Sequence, residues 1–421
     1  MVVSIVRVVD PLESLRQAIA LCDGFAALDR RAKVVLKPNL SVGFNLPPYG
    51  MTTTTSILEG LLQLLIEQGC ADISIAEGSI EVLGFGTRKA YARSQIDKLA
   101  RKYGVRLIDL DQGPFRKVDL GGVHVQIAET ALQADFLINV PVRKTHGLTK
   151  VSLGFKNLKG CLSPRSKTKF HATNRLNHLI CLLNDVVKSH LTVIDGTYVL
   201  ENGPDTLLGT AHRKDVYIAS RDGFACDVIG SWMLGVDVAE VGYLCEYAEA
   251  HGRTLNMEDI HTAGESDLIG LRERLEWKPD VVKELLTPAG MTGISIPHPG
   301  DSLCCRCYTN LGLALVALVE DNGNRDCGDA VIHCGKALTP DEHGGKTLVY
   351  GTCATRIRRL GTRQSTFVKG CPPRLRDTLP AFFVQLLGWR RALTVMPPAL
   401  LRLAGAKMGV YNYSLPRWKA Y

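Results

Sequence analysis

Short apolar blocks of two periods alternate along the chain. Val2–Val9 is β-branched and alternating, which predicts a strand, and Leu12–Leu28 carries the spacing of an amphipathic helix. Val34–Leu36 reads as a buried strand and Ser56–Gln68 as an apolar helix closed by Gly69. The alternation continues with strands at Asp72–Ala76, Val105–Asp109 and Val123–Ile127 and a helix at Arg88–Tyr103. Phe136–Val140 predicts a fully buried central strand. Beyond it, helices at Leu176–Lys188 and Phe224–Leu234 accompany strands at Leu191–Ile194 and Val216–Ala219. Residues 235–290 read as helical and charged, and Thr287–Gly300, carrying Pro and Gly, as a linker. An apolar helix at Asn310–Val319 then precedes strands at Thr347–Tyr350 and Ser365–Val368. Strands alternating with helices of this length predict an α/β protein, with largely parallel twisted sheets in two lobes and a C-terminal α/β domain. The expected division is an α/β region at 1–290, a cysteine-rich domain at 291–388 and a C-terminal arm at 389–421.

Polar chemistry collects where these strands end. Lys37, Glu77, Lys144, His146 and Asp195 each directly or closely follow a predicted strand. Parallel topology gathers such positions along one edge, where open α/β sheets bind ligands. Lysines are seldom buried without a partner. Lys37, Lys144, Lys156 and Lys159, with Asn39 and Asn157 nearby in sequence, therefore predict a site for a small anionic metabolite, a carboxylate or a phosphate. The alternative is a solvated basic loop. Thr52 and Thr53 open a threonine run before a helix, so they act either as caps or as an anion seat at the positive end of the helix dipole. His171 lies in a basic segment without long apolar runs, either a flap that closes over a ligand or a surface loop.

Bulk composition narrows the classes. At 421 residues the chain predicts two or three domains, and 46% hydrophobic with 22% charged residues describes an ordinary globular protein. A net charge of +8 is modest for this length and does not call for nucleic acid. Its basic residues are not interleaved with aromatics in the manner of a nucleic-acid surface. No stretch approaches the roughly 18–20 apolar residues of a spanning helix, and the N-terminus lacks the apolar core of a signal peptide. Thirteen cysteines without an export signal predict a reducing, cytoplasmic setting, with thiols reduced or metal-bound.

The cysteines beyond residue 300 change the picture further. Cys304-x-x-Cys307 precedes a predicted helix, and Cys353 and Cys371 follow predicted strands. Gly370-Cys371-Pro372-Pro373 resembles the Gly-Cys-Pro-Pro of cluster-bearing small subunits in nickel–iron hydrogenases and complex I, a likeness confined to those residues. One short-spaced couple followed by two single cysteines suits an iron–sulfur cluster, with 4Fe–4S favoured, better than the paired couples of structural zinc. Zinc and ordinary buried thiols stay as alternatives. Cys304 and Cys305 are equal candidates for the fourth ligand. The last segment mixes Arg and Lys with aromatics, as an interfacial helix or a subunit contact would. The proline pair 397–398 breaks any long amphipathic helix there, which favours a packing arm.

Lys37-Pro38-Asn39, the threonines 52–55, Lys144-Thr145-His146, Lys156-Asn157-Leu158-Lys159-Gly160, His171, Asp195-Gly196, Gly203-Pro204 and Asp227 occur together and in order. That set resembles the signature of the domain of unknown function 362 family over roughly residues 1–265, and the cysteine-bearing tail resembles a subset of its members. One departure is Thr54, where the resemblance leads one to expect a histidine after two threonines, so the resemblance does not carry over a metal or acid–base role that depends on that histidine. The resemblance implies a shape similar to the nickel-pincer lactate racemase, without carrying over any nickel ligand. Two function classes follow. The first is an enzyme in which His146 or His171 moves a proton beside Lys144 and Asp195, by redox or lyase/isomerase chemistry aided by the cluster. The second is an iron–sulfur electron-transfer protein docking on a partner. An enzyme with only a structural zinc is a variant of the first. Nothing in the pattern sets substrate or oligomeric state.

Overall fold

The computed structural model describes residues 1–40, 49–79, 86–173, 175–203, 209–277, 286–287, 290–297, 303, 305–322, 325–335, 345–354 and 365–408. The chain forms two compact units. The first comprises residues 1–81, 85–170 and 175–277, and the second 82–84, 171–174 and 278–421.

The first unit opens with β1 (Val3–Arg7), α1 (Pro11–Leu21), β2 (Val34–Pro38), α2 (Thr55–Glu67) and β3 (Ile73–Glu77). Next come α3 (Thr87–Arg93), α4 (Ile96–Tyr103), β4 (Arg106–Asp109) and the hairpin β5 (Phe115–Leu120) and β6 (Val123–Ala128). A single turn, α5 (Glu129–Leu132), leads to β7 (Phe136–Val140), β8 (Val142–His146), β9 (Lys150–Ser152) and another short turn, α6 (Gly154–Asn157). Then follow α7 (Pro164–Ala172), α8 (Leu176–Val186), β10 (Leu191–Glu201), β11 (Thr210–Ser220), α9 (Gly223–Met233), α10 (Gly242–His251) and β12 (Thr262–Gly264). Ten of these strands make one sheet in the order β12-β1-β11-β10-β7-β2-β3-β4, with β8 beside β10 and β9 beside β8. From β10 to β4 all neighbours are parallel, whereas β11 runs antiparallel to β10 and β1. β2, β3 and β7 are buried along their whole lengths, as expected of parallel strands covered on both faces.

Several expectations shift for local reasons. The helix expected at Leu12–Leu28 ends at Leu21, and the one at Arg88–Tyr103 is interrupted at Ser94–Gln95, where Gln95 takes φ +60°. β5 escapes notice because FRKVDL is polar and mostly solvent-facing, and only its pairing with β6 makes it a strand. Pro141 does not end the central strand region: β8 resumes at Val142, now beside β10. The basic segment around His171 is the helix α7, not a loop. Within 235–290 the described residues hold one helix longer than a single turn, α10. The rest is turns and the edge strand β12.

The second unit holds a four-stranded, all-parallel sheet: β13 (Thr292–Ser295), β14 (Asp326–Cys334), β15 (Lys346–Tyr350) and β16 (Ser365–Val368). β13 falls inside the stretch read as a linker. Its helices are α11 (Cys305–Asn322), α12 (Leu375–Leu387) and α13 (Trp389–Met408). α11 buries Leu311, Leu313, Leu315, Val316 and Leu318. α13 continues through Pro397 and Pro398, which the sequence reading took as a break, although each proline removes one backbone bond to the preceding turn. It buries Ala392, Val395 and Ala399 and leaves Trp389, Leu393 and Leu401 exposed. Among the described residues, no helix is long and apolar enough to cross a membrane.

Candidate functional site

Register builds the centre of the first unit. β2 and β7 pair with Lys37 opposite Asn139 and Pro38 opposite Val140, so a cation and an amide lie abreast at the C-terminal ends of parallel strands. Lys37 is fully buried and its Nζ donates to Glu77 Oε2 and, at 3.2 Å, to the Pro38 carbonyl. Burial pushes the Glu77 carboxyl up, and the charge of Lys37 opposes that shift. The backbone of Gly160 rests directly on this pair: a Cβ there would overlap Glu77 Oε1 and come within 2.6 Å of Lys37 Nζ. A second buried pair flanks the first. Lys167 Nζ donates to Asp111 Oδ1 and to the Gly78 carbonyl, both at 2.6 Å. Burial raises the Asp111 carboxyl, countered by Lys167.

Amides extend the network. Asn157 Nδ2 donates to Asn139 Oδ1 at 2.7 Å and to the Lys37 carbonyl at 3.3 Å, and Asn139 Nδ2 donates to the Gly154 carbonyl at 2.8 Å. Asn39 Nδ2 reaches Asn157 Oδ1 at 3.3 Å, while Lys144 Nζ donates to Asn39 Oδ1 at 2.8 Å and to the Met51 carbonyl at 3.0 Å. Thr53 Oγ1 accepts from Asn39 N at 2.8 Å and donates to the Val140 carbonyl at 2.7 Å. Lys37, Asn39, Thr53, Glu77, Lys144 and Asn157, all picked out in the sequence, are thus joined through hydrogen bonds. Thr52 is buried beside them in the chain. Lys156 is half-buried on α6, and Lys159 is buried in the 3-10 turn Leu158–Cys161. His146 is buried, and its Nδ1 accepts from Leu148 N at 3.0 Å, which places the ring proton on Nε2. His171 is buried on α7.

Two carboxylates sit at helix starts. Asp195 Oδ2 accepts from Thr54 N at 2.7 Å and Thr54 Oγ1 at 2.8 Å, and Asp195 Oδ1 from Thr197 N at 3.0 Å. The start of α2, read as a seat for an anion, thus holds a carboxylate of the same chain. Asp227 Oδ1 and Oδ2 accept from Gly154 N at 2.7 Å and Phe155 N at 2.9 Å, fixing the start of α6. Asp227 is completely buried, and burial pushes its carboxyl up to about 7 while the two N–H groups oppose the shift. Sequence reasoning missed Asn139, Asp111 and Lys167 as members of the network. Asn139 had a signal, since an amide inside the apolar run Phe136–Val140 must find partners when buried. Asp111 and Lys167 had none, because their pairing is set by tertiary structure alone.

In the second unit, Cys307 lies in the first turns of α11, Cys353 follows β15 and Cys371 follows β16. Gly351, at φ +89°, lies beside two of them: a Cβ on it would stand 3.8 Å from Cys353 Sγ and 3.9 Å from Cys307 Sγ. The Gly370 carbonyl accepts from Thr352 N at 2.9 Å and Thr352 Oγ1 at 3.0 Å, and the Pro373 carbonyl from Asn310 Nδ2 at 3.0 Å. These bonds bring the Gly370–Pro373 turn to the same corner. Cys304 and the side chain of Cys305 lie outside the described residues, among which no three His, Cys, Asp or Glu groups converge as a metal site would require. Elsewhere burial raises the thiols, that of Cys161 to about 12, as expected of packing residues.

Residues 34–232 match the model of a family described as Domain of unknown function (DUF362). The likeness to that family covers just under half of the chain. Its limits enclose Lys37, Glu77, Asn139, Lys144, His146, Asn157, Asp195 and Asp227 and stop short of the cysteines beyond residue 300. The thylakoid-associated protein sll1697 of Synechocystis sp. (strain ATCC 27184 / PCC 6803 / Kazusa) is 27% identical over 218 residues, covering 50% of this chain and 65% of that protein. The match therefore spans less than two thirds of that relative's length. The lactate racemase apoprotein of Thermoanaerobacterium thermosaccharolyticum is similar at a TM-score of 0.40 and 10% identity, covering 99% of this chain and 91% of that one. That likeness is too slight to transfer a residue or a role.

Two predictions concern this network. Lys37→Met leaves the Glu77 carboxylate buried without its cation and should lower stability by about 3–5 kcal/mol. Adding Glu77→Gln should recover a large part of that loss, and urea unfolding of wild type, single and double variants reads both quantities. Asp227 holds its proton more tightly folded than unfolded, the ordinary value being 3.8 and the folded one about 7. Its contribution is fully present below the unfolded value and is lost as pH rises through the folded one. Asp227→Asn should therefore flatten the fall in unfolding free energy between about pH 4 and pH 7. Equal slopes for the two proteins would contradict this.

Proposed function

We propose that this DUF362 protein is an enzyme acting on a small carboxylate- or phosphate-bearing metabolite held at the network of Lys37, Asn39, Asn139, Lys144 and Asn157. The observation that carries the reading is one hydrogen-bonded network, with Lys37, Asn39 and Asn139 at the C-terminal ends of parallel β2 and β7 and with Lys144 and Asn157 reaching it from β8 and α6. Ligands of open α/β sheets bind at such ends. Buried charges and amides seldom add stability over a well-packed apolar core, so their concentration at this edge is best accounted for by chemistry. Lys144 orients the anion, Asn39 and Asn157 fix its position, and His146 moves a proton at Nε2. The reaction class is redox or lyase/isomerase. A resident iron–sulfur cluster in the second unit would be held by Cys307, Cys353 and Cys371 with Cys304 or Cys305. When bound, such a group supplies an electron or a Lewis-acidic iron. The approach of the Cys307 and Cys353 sulfurs to Gly351 supports these two members of the set.

Lys144→Met should weaken binding of phosphate or a short carboxylate by about 1.5–3 kcal/mol while the folded state survives. Calorimetric titration of both proteins measures it, and equal affinities would remove Lys144 from the site. Protein purified without oxygen should contain iron and sulfide in near-equal amounts, both lost in Cys353→Ser. Stoichiometric zinc with no iron would transfer the cysteines to a structural zinc site.

A further inference from the structure

Arg143, the second residue of β8, has a side chain with no exposed surface. Alternation along a strand sends Arg143 and Lys144 to opposite faces, so Arg143 points away from the amide network. Its Nε packs over Gly196, where a Cβ would stand 3.5 Å from that nitrogen. Here the pairing of β10 with β11 slips between Gly196 and Tyr198. Among the described residues, no acceptor lies within hydrogen-bond reach of Nε, Nη1 or Nη2. The facing carboxylate is Glu273, 3.9 Å from Nη2, and its other oxygen is engaged by Lys214 Nζ at 2.7 Å. Two cations thus share one carboxylate, which leaves a positive charge in excess beneath the surface.

A guanidinium carries five N–H donors, and a buried donor without an acceptor is strongly disfavoured. Glu273 is not placed to supply the acceptors. Besides Lys214, its backbone N donates to the Met233 carbonyl at 2.8 Å. Its own carbonyl lies so close to Gly235 that a Cβ there would overlap it. Burial lowers the guanidinium to about 10, with Glu273 acting in the other direction, so the group stays cationic at neutral pH. Water could accept hydrogen bonds here but would leave the charge uncompensated. A small anion does both.

We propose that Arg143, lying over Gly196 and facing Glu273, binds a small monovalent anion of halide or short-carboxylate size. The test is thermal unfolding of the full chain at fixed ionic strength, with sodium bromide or sodium formate replacing sodium isethionate. Wild type should show a saturable rise in Tm of about 2–5 °C, and Arg143→Met should show none. A response to bromide alone assigns a halide, and a response to formate alone assigns a carboxylate. Glu273→Gln serves if Arg143→Met does not fold: removing the competing charge should lower the half-saturating bromide or formate concentration severalfold. Crystals grown in bromide should show anomalous scattering within hydrogen-bond distance of the guanidinium. Equal responses in wild type and Arg143→Met, an unchanged half-saturation in Glu273→Gln, or a map with Glu273 itself bonded to Arg143 would overturn the proposal.

Discussion

The buried pair of Lys37 and Glu77 is the contact on which the first unit's interior turns. A lone ammonium or carboxylate at that depth would be strongly disfavoured, so each requires the other, and β2 and β3 must end side by side. Gly160 then seats its backbone on the pair, where no side chain would fit. From there the turn Lys156–Gly160 is held at both ends. Asp227 accepts the N–H groups of Gly154 and Phe155, and Asn157 reaches Asn139 across β7. Ion pair, amides and helix start therefore behave as one unit, and loss of a single member leaves the others without partners.

Charge within this interior is distributed with a purpose that differs from place to place. Glu77 and Asp111 answer Lys37 and Lys167, whereas Asp195 and Asp227 answer backbone N–H groups at the starts of α2 and α6. Lys144 is held by an amide oxygen and a main-chain carbonyl. Both acceptors are neutral oxygens, and they hold the ammonium in place. Arg143, next to it in the chain, faces the other way with a carboxylate it must share. Adjacent cations on one strand thus meet two different electrostatic settings, because alternation sends them to opposite sides of the sheet.

The second unit repeats the logic of strand ends with sulfur in place of nitrogen. Cys353 and Cys371 follow parallel strands and Cys307 opens a helix, and the sulfurs of Cys307 and Cys353 both approach Gly351. Thiolates are favoured at helix starts by N–H dipoles, and Cys307 stands in the first turns of such a helix.

The sequence by itself determined the alternation of strands and helices, the α/β class and the strand-end positions of Lys37, Glu77, Lys144 and Asp195. These are local properties: periodicity, β-branching and the residue that follows an apolar run. Register and pairing decided the rest. Lys37 opposite Asn139, Lys167 on Asp111 and Asp195 on Thr54 join residues far apart in the chain, and no local pattern encodes such a meeting. β5 was missed because a polar strand shows itself only through its partner, and β8 because a single proline looked like an end. The interrupted helix at Gln95 and the uninterrupted one through Pro397 and Pro398 were misread for one reason. Propensity is a weak preference, up to about 0.7 kcal/mol for ordinary residues and about 3 kcal/mol for proline, and packing of the neighbouring turns overrides it.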